Sequence, residues 1–151
     1  MIDYAVESFD HVGITVSDMD RAMRFFGDVL GARTVPARYY DDPIIGRVSG
    51  MTDAKLSIGH AFLGGYSFEL LHYHFPDDGR RSTLRPCDDG HIHLALNVRG
   101  IDALAARMDE EGFRAAGPIQ RGVGAKGIAA IYMCGFDNLI VELLDAGAAS
   151  A

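Results

Sequence analysis

Two histidines and two glutamates stand at matching places in the two halves of this 151-residue chain. His11 and His93 lie 82 positions apart, each near the start of a segment of alternating apolar residues. Glu69 and Glu142 lie 73 positions apart, inside the apolar runs FELL and VELL. Two imidazoles and two carboxylates form a donor set suited to a divalent first-row metal ion. The repeated pattern therefore predicts a metal site.

Taken singly, each of these residues has a plainer interpretation. A histidine of this kind is often a hydrogen-bonded core residue, and a charge on a strand usually faces water. A carboxylate buried in an apolar strand, however, costs on the order of several kcal/mol unless a cation or hydrogen bonds compensate it. Four such residues at repeated positions favour metal binding over four separate structural roles.

The first half reads as a β-α-β-β-β module over residues 1–74. Residues 9–16 alternate between apolar and small or polar side chains, which is typical of a strand and puts His11 opposite the aliphatic row. A helix is predicted from a cap at Ser17 or Asp18 to Gly31. Residues 32–52 are predicted to hold a short strand near 33–40 and a long loop, and the strands 55–63 and 66–73 to meet at the Gly64-Gly65 turn.

The second half repeats this order over residues 91–146, after a polar linker over 75–90 and before a tail over 147–151. A strand at 92–98 carries His93, a helix follows from Ile101 to about Gly112, and strands are expected near 113–116, 127–133 and 139–144. The glycine-rich run 122–127 is predicted to be a hairpin loop because it lacks the strand-to-helix context of a phosphate-binding motif. The fold class is thus α+β.

Composition limits the partners. The formal net charge is −7, and the 14 basic residues are scattered along the chain, so neither nucleic acid nor an anionic membrane is expected as a partner. The start of the chain lacks the pattern of a signal peptide, and Cys87 and Cys134 form no CxxC pair, which predicts reduced thiols and a cytoplasmic protein.

The opening FDHVGITVSDMDRAMRFFGDVLGA, the segment GHIHLALNV and the closing IVELL resemble the vicinal oxygen chelate superfamily. This superfamily includes glyoxalase I, methylmalonyl-CoA epimerase, extradiol dioxygenases, fosfomycin-inactivating thiol transferases and metal-free bleomycin-binding proteins. The resemblance implies two β-α-β-β-β modules that form an incomplete barrel around a metal site, with modules paired within one chain or across a homodimer. It implies His11, Glu69, His93 and Glu142 as ligands of one divalent ion, which could be Zn, Ni, Co, Mn or Fe.

The four filled ligand positions resemble those of glyoxalase I and the epimerase. They imply a metal-dependent lyase or isomerase whose partner is a small-molecule substrate, and which moves a proton next to a chelated carbonyl of that substrate, with Glu142 or Glu69 as the catalytic base. An Fe(II) extradiol dioxygenase would need only the two histidines and Glu142. A non-catalytic module that binds a drug or metabolite is the third alternative.

Four residues are predicted to line the substrate pocket. Tyr73 shares the strand face of Glu69, and Asn97 shares that of His93. Tyr40 belongs to the long loop that could close over a ligand, and Lys126 could touch an anionic substrate. The remaining histidines are predicted to be structural or solvated: His60, His72, His74 and His91.

Overall fold

The computed structural model describes residues 4–147 and has an α+β fold, as predicted. The chain divides into two compact units, Met1–Gly79 and Arg80–Ala151, and each contains one open sheet. The bounds given above for the modules and the linker remain predictions. Of the predicted tail, residues 147–151, only Gly147 is among the described residues. No helix in the described part of the chain is both long and apolar enough to cross a membrane.

The first unit holds a four-stranded sheet in the order β1-β4-β3-β2. Strand β1 runs parallel to β4, and the other neighbours are antiparallel. Helix α1 begins where predicted, because the Asp18 carboxylate accepts a hydrogen bond of 2.9 Å from the backbone N–H of Arg21. The elements are β1 (Val12–Thr15), α1 (Met19–Arg24), a π-helical turn (Phe25–Val29), β2 (Arg33–Tyr40), α2 (Pro43–Ser49), β3 (Lys55–Leu63) and β4 (Tyr66–Phe75).

Helix α2 corrects the prediction of a long loop after β2. The Asp42 carboxylate accepts a hydrogen bond of 2.8 Å from the N–H of Ile44, Pro43 occupies the first turn, and Gly50 follows the helix with a φ of 72°. These are ordinary start and stop signals of a helix. Gly46 inside the helix made the segment look irregular, but it is buried, and a Cβ there would lie 2.5 Å from the carbonyl oxygen of Met51.

The second unit holds a sheet in the order β5-β9-β8-β6, with β7 also paired to β8. Strand β5 is parallel to β9, which repeats the β1–β4 pairing of the first unit. Strand β7 was not predicted; it pairs with β8 across the glycine-rich turn, so the predicted hairpin loop is confirmed. The elements are β5 (Leu94–Asn97), α3 (Ile101–Glu110), β6 (Arg114–Ala115), β7 (Gln120–Val123), β8 (Ile128–Cys134), a 3₁₀ turn (Phe136–Asn138) and β9 (Ile140–Asp145).

A carboxylate from β9 caps helix α3. Gly100 precedes the helix with a φ of 82° and has no side chain to cap it. The Asp145 carboxylate, 3% exposed, instead accepts hydrogen bonds from the N–H groups of Gly100 at 2.8 Å and Ile101 at 3.1 Å. Its other oxygen accepts one from the N–H of Gly147 at 2.8 Å. The cap therefore ties α3 to the strand that carries Glu142.

Within each unit a helix covers one face of the sheet: α1 contacts β3 and β4, and α3 contacts β6, β8 and β9. In β4, Phe68 and Leu70 are buried while Glu69 between them is half-buried. In β9, Val141 and Leu143 are buried on either side of Glu142. Alternation therefore places each carboxylate on the face of its own sheet that points away from that helix.

Candidate functional site

The first unit brings His11 and Glu69 together. Glu69 of β4 lies opposite Gly13 of β1, so His11, which immediately precedes β1, is on the same face as that carboxylate. The distance from His11 Nε2 to Glu69 Oε2 is 3.4 Å.

Asp10 holds the other side of the His11 ring. Its Oδ1 accepts a hydrogen bond of 2.6 Å from His11 Nδ1. This hydrogen bond raises the pKa of His11 above its ordinary value; burial opposes the shift and the charge of Glu69 adds to it. The sequence interpretation missed Asp10, although it immediately precedes His11 in the chain.

The second unit repeats the geometry with His93 and Glu142. His93 Nε2 lies 3.3 Å from Glu142 Oε2, and Glu142 faces Ala95, the counterpart of Gly13. The side chains of both glutamates are 22% exposed, and those of His11 and His93 are 39% and 35% exposed. The two histidine–glutamate pairs are therefore equivalent in spacing and in access to solvent.

Tyr132 is a site residue that the sequence interpretation missed. It lies directly across from Glu142 in the β8–β9 register, and its hydroxyl is 3.4 Å from His93 Nε2. Burial, reinforced by the negative charge of Glu142, raises the pKa of Tyr132 above its ordinary value. The phenol therefore stays protonated near neutral pH and is a hydrogen-bond donor. Its counterpart in the first unit is His60, which lies across from Glu69.

The other histidines divide into two groups. His72 Nδ1 donates to the carbonyl oxygen of Val16 at 3.0 Å, and His74 Nε2 lies 2.9 Å from the Ser57 hydroxyl. These contacts support the structural roles that were predicted for both. His91 stacks on His93 with ring centroids 6.2 Å apart, and its buried Nε2 has no hydrogen-bond partner among residues 4–147.

The predicted pocket residues occupy different places. Tyr73 lies opposite Leu56, and Tyr40 lies opposite Leu56 from the other side, so both belong to one row across the first sheet. Tyr40 is the last residue of β2, which corrects its assignment to the long loop. Asn97 ends β5 and is exposed. Lys126 is exposed in the turn between β7 and β8.

Each histidine–glutamate pair fits half of a metal site. Two ligand atoms that are each about 2.0–2.2 Å from an ion, and roughly 90–110° apart around it, are separated by roughly 2.8–3.6 Å. The observed distances of 3.4 Å and 3.3 Å lie in that interval. Within either unit, the described residues contain no group of three or more metal-ligating side chains. One unit alone therefore offers two candidate ligands.

Comparisons with known proteins agree with the two-module fold. The model of the Glyoxalase/Bleomycin resistance protein/Dioxygenase superfamily matches residues 8–137. A curated "2-epi-5-epi-valiolone epimerase" from Actinomyces sp. is 35% identical over 99 residues, which are 63% of this chain and 54% of that protein. The chain therefore spans about half the length of this relative.

Solved structures show the same fold at low sequence identity. A glyoxalase family protein from Bacillus cereus has a TM-score of 0.85 and 20% identity, over 96% of this chain and 97% of that chain. The fosfomycin resistance protein FosX from Mesorhizobium loti has a TM-score of 0.59 and 20% identity, over 93% and 92%. A FosX variant from Listeria monocytogenes, crystallised with Mn(II) and a dihydroxypropylphosphonic acid, has a TM-score of 0.63 and 15% identity, over 93% and 90%. With the family model matching most of its length, this chain belongs to the Glyoxalase/Bleomycin resistance protein/Dioxygenase superfamily, as its resemblance to the vicinal oxygen chelate proteins implied.

Proposed function

We propose that this protein is a metal-dependent isomerase of the epimerase type, which moves a proton next to a carbonyl group of a small oxygenated substrate. The observation that carries the proposal is the repeated histidine–glutamate pair, with nitrogen-to-oxygen distances of 3.4 Å and 3.3 Å. The similarity to a protein named as an epimerase favours an isomerase over a lyase. The Mn(II) in the FosX structure shows that a chain of this fold binds a divalent ion.

The four side chains would supply a complete ligand set if a pair from each kind of unit bound the same ion. His11 and His93 would bind through Nε2, and Glu69 and Glu142 through a carboxylate oxygen. Zn, Ni, Co, Mn and Fe all accept these ligands. The two pairs could belong to one chain or to two copies of the chain in a homodimer. We propose that the protein is a homodimer and that it is located in the cytoplasm. When bound, the divalent ion would polarise the substrate carbonyl and make the neighbouring C–H bond more acidic.

The glutamates are the residues suited to move the proton. Inversion at a carbon atom requires that a proton leave from one face and that a proton return to the other. The side chains of Glu69 and Glu142 are each 22% exposed, so both carboxylates can be reached from solvent. We propose that one or both carboxylates accept and return the proton, and that the protonated Tyr132 hydroxyl donates a hydrogen bond to a substrate oxygen.

The test combines metal analysis with proton exchange. Wild-type protein, Glu69→Ala and Glu142→Gln are purified without chelators or a metal-binding tag, and Glu7→Ala, which removes an exposed carboxylate, is the matched control. We expect about one equivalent of divalent metal per protein chain in the wild type and in the control. The metal content of Glu69→Ala should be clearly lower. Each protein is then incubated with candidate hydroxyketones in D₂O. We expect deuterium from the solvent to be incorporated at the carbon next to the carbonyl group. The rate of incorporation with Glu142→Gln should be about 10²–10⁴-fold lower than with the wild type.

Three outcomes would contradict the proposal in different ways. Metal that Glu69→Ala retains in full would remove Glu69 from the ligand set and favour the three-ligand pattern of an Fe(II) dioxygenase. Full exchange with Glu142→Gln would exclude Glu142 as the base. Absence of metal from the wild type, even after reconstitution, would favour a non-catalytic binding protein.

A further inference from the structure

The two histidines are held differently, although their distances to the glutamates match. His11 Nδ1 donates to the adjacent Asp10 carboxylate at 2.6 Å. At the corresponding place before His93 stands Ile92, which is 76% exposed and cannot accept a hydrogen bond. Among the described residues, His93 Nδ1 has no hydrogen-bond partner. Only the first pair therefore has a carboxylate behind its imidazole.

The Asp10 carboxylate determines which nitrogen of His11 is free to bind. An ionised carboxylate only accepts hydrogen bonds, so Nδ1 must carry the proton that it donates. In the neutral ring the lone pair is then on Nε2, the nitrogen that lies 3.4 Å from Glu69 Oε2. A metal-bound histidine typically donates its other N–H to a carboxylate in this way, which fixes the tautomer and the ring orientation.

We infer that Asp10 is a positioning residue that presets His11 as an Nε2 ligand and thereby raises the affinity of the site for a metal ion. This inference rests on the proposed function, because it concerns the same metal site. Asp10 is 91% exposed in its side chain, so the carboxylate does not support the core and its removal leaves the fold intact.

The experiment measures the tautomer and the metal affinity of the full chain. The variants are Asp10→Ala, Asp10→Asn and Ile92→Ala, with Glu7→Ala as the charge-matched control. Long-range ¹H–¹⁵N NMR of the metal-free protein reports which nitrogen of His11 is protonated. Titration with Co²⁺, followed by visible absorption, gives the dissociation constant of each variant.

We expect protonated Nδ1 in the wild type and a gain of the tautomer protonated on Nε2 in Asp10→Ala. The Co²⁺ affinity of Asp10→Ala should fall about 10–100-fold, as for other outer carboxylates of metal sites. Asp10→Asn should lose less, because its amide oxygen still accepts the hydrogen bond. Glu7→Ala and Ile92→Ala should stay within about twofold of the wild type, a change of only about 0.4 kcal/mol.

Two results would overturn the inference. If Asp10→Ala binds Co²⁺ as tightly as the wild type does, or if its His11 tautomer is unchanged, Asp10 does not position the ligand. The proposed function survives that result, because the wild type still binds the metal. If the wild type binds no Co²⁺ at all, the proposed function fails and the inference fails with it.

Discussion

The Asp145 cap on helix α3 is expected to stabilise the second unit, and removing this cap tests that expectation directly. Asp145→Ala removes a carboxylate that is 3% exposed and accepts three backbone N–H groups. Those of Gly100 and Gly147 belong to exposed residues, so water replaces the lost partner there. The N–H of Ile101 belongs to a fully buried residue and is left unsatisfied.

The expected cost follows from these two effects. The N–H of Ile101 is the capped group, and leaving it unsatisfied in the interior costs about 1–3 kcal/mol, a range that includes the usual cost of losing a helix cap. Asp145→Ala should therefore lower the free energy of unfolding by about 1–3 kcal/mol. For a chain of this length that is a fall of roughly 2–12 °C in Tm. Asp145→Asn should cost less, because one oxygen remains as an acceptor.

Far-ultraviolet circular dichroism is the suitable assay, because the chain contains no tryptophan. Urea and thermal unfolding of Asp145→Ala and Asp145→Asn are compared with wild type and with Asp89→Ala, which removes an exposed carboxylate from the same unit. The control should change the free energy of unfolding by no more than about 0.5 kcal/mol. If Asp145→Ala is no less stable than Asp89→Ala, the hydrogen bonds to α3 do not stabilise the unit and the reasoning is refuted.

Two further predictions concern packing and pH. Gly135 has an extended backbone that any residue adopts, but a Cβ there would lie 2.1 Å from the buried ring of Phe113, so Gly135→Ala should cost about 1–3 kcal/mol in urea unfolding. Gly59→Ala should lower the free energy of unfolding less, because the atom closest to a Cβ at that position, at 2.9 Å, is the sulfur of a flexible methionine side chain. Equal losses in the two variants would contradict a clash between the Gly135→Ala side chain and the Phe113 ring. Hydrogen bonds from Arg85 hold the pKa of the Asp88 carboxyl below its usual range. The stabilisation by this pair is thus present above the unfolded-state pKa and is lost as pH falls through the lower, folded-state pKa. Carboxyl NMR titration should show the Asp88 pKa rising in Arg85→Gln, and an unchanged value would exclude that cause.

Local patterns in the sequence predicted most of the strands and helices correctly. Several features depend on only a few neighbouring residues and can therefore be recognised from the local sequence alone. They are the alternation around His11 and His93, the helix cap at Asp18 and the Gly64-Gly65 turn. The repeat between the halves extended this to the shared faces of the histidines and glutamates. Helix α2 was missed because Gly46 in its interior outweighed correct start and stop signals.

The contacts that shape the site depend on pairings between distant segments. Tyr132 reaches His93 because the β8–β9 register sets it opposite Glu142, and a shift of one residue would turn it to the covered face. The cap of α3 comes from Asp145, 44 residues after Ile101, since Gly100 offers no side chain. The sequence by itself determined which residue types could bind a metal and on which strand face each glutamate lies. Both histidines, predicted to lie within strands, stand immediately before β1 and β5. Only the tertiary structure decided which atoms meet, because the distances between side chains on separate strands depend on strand register.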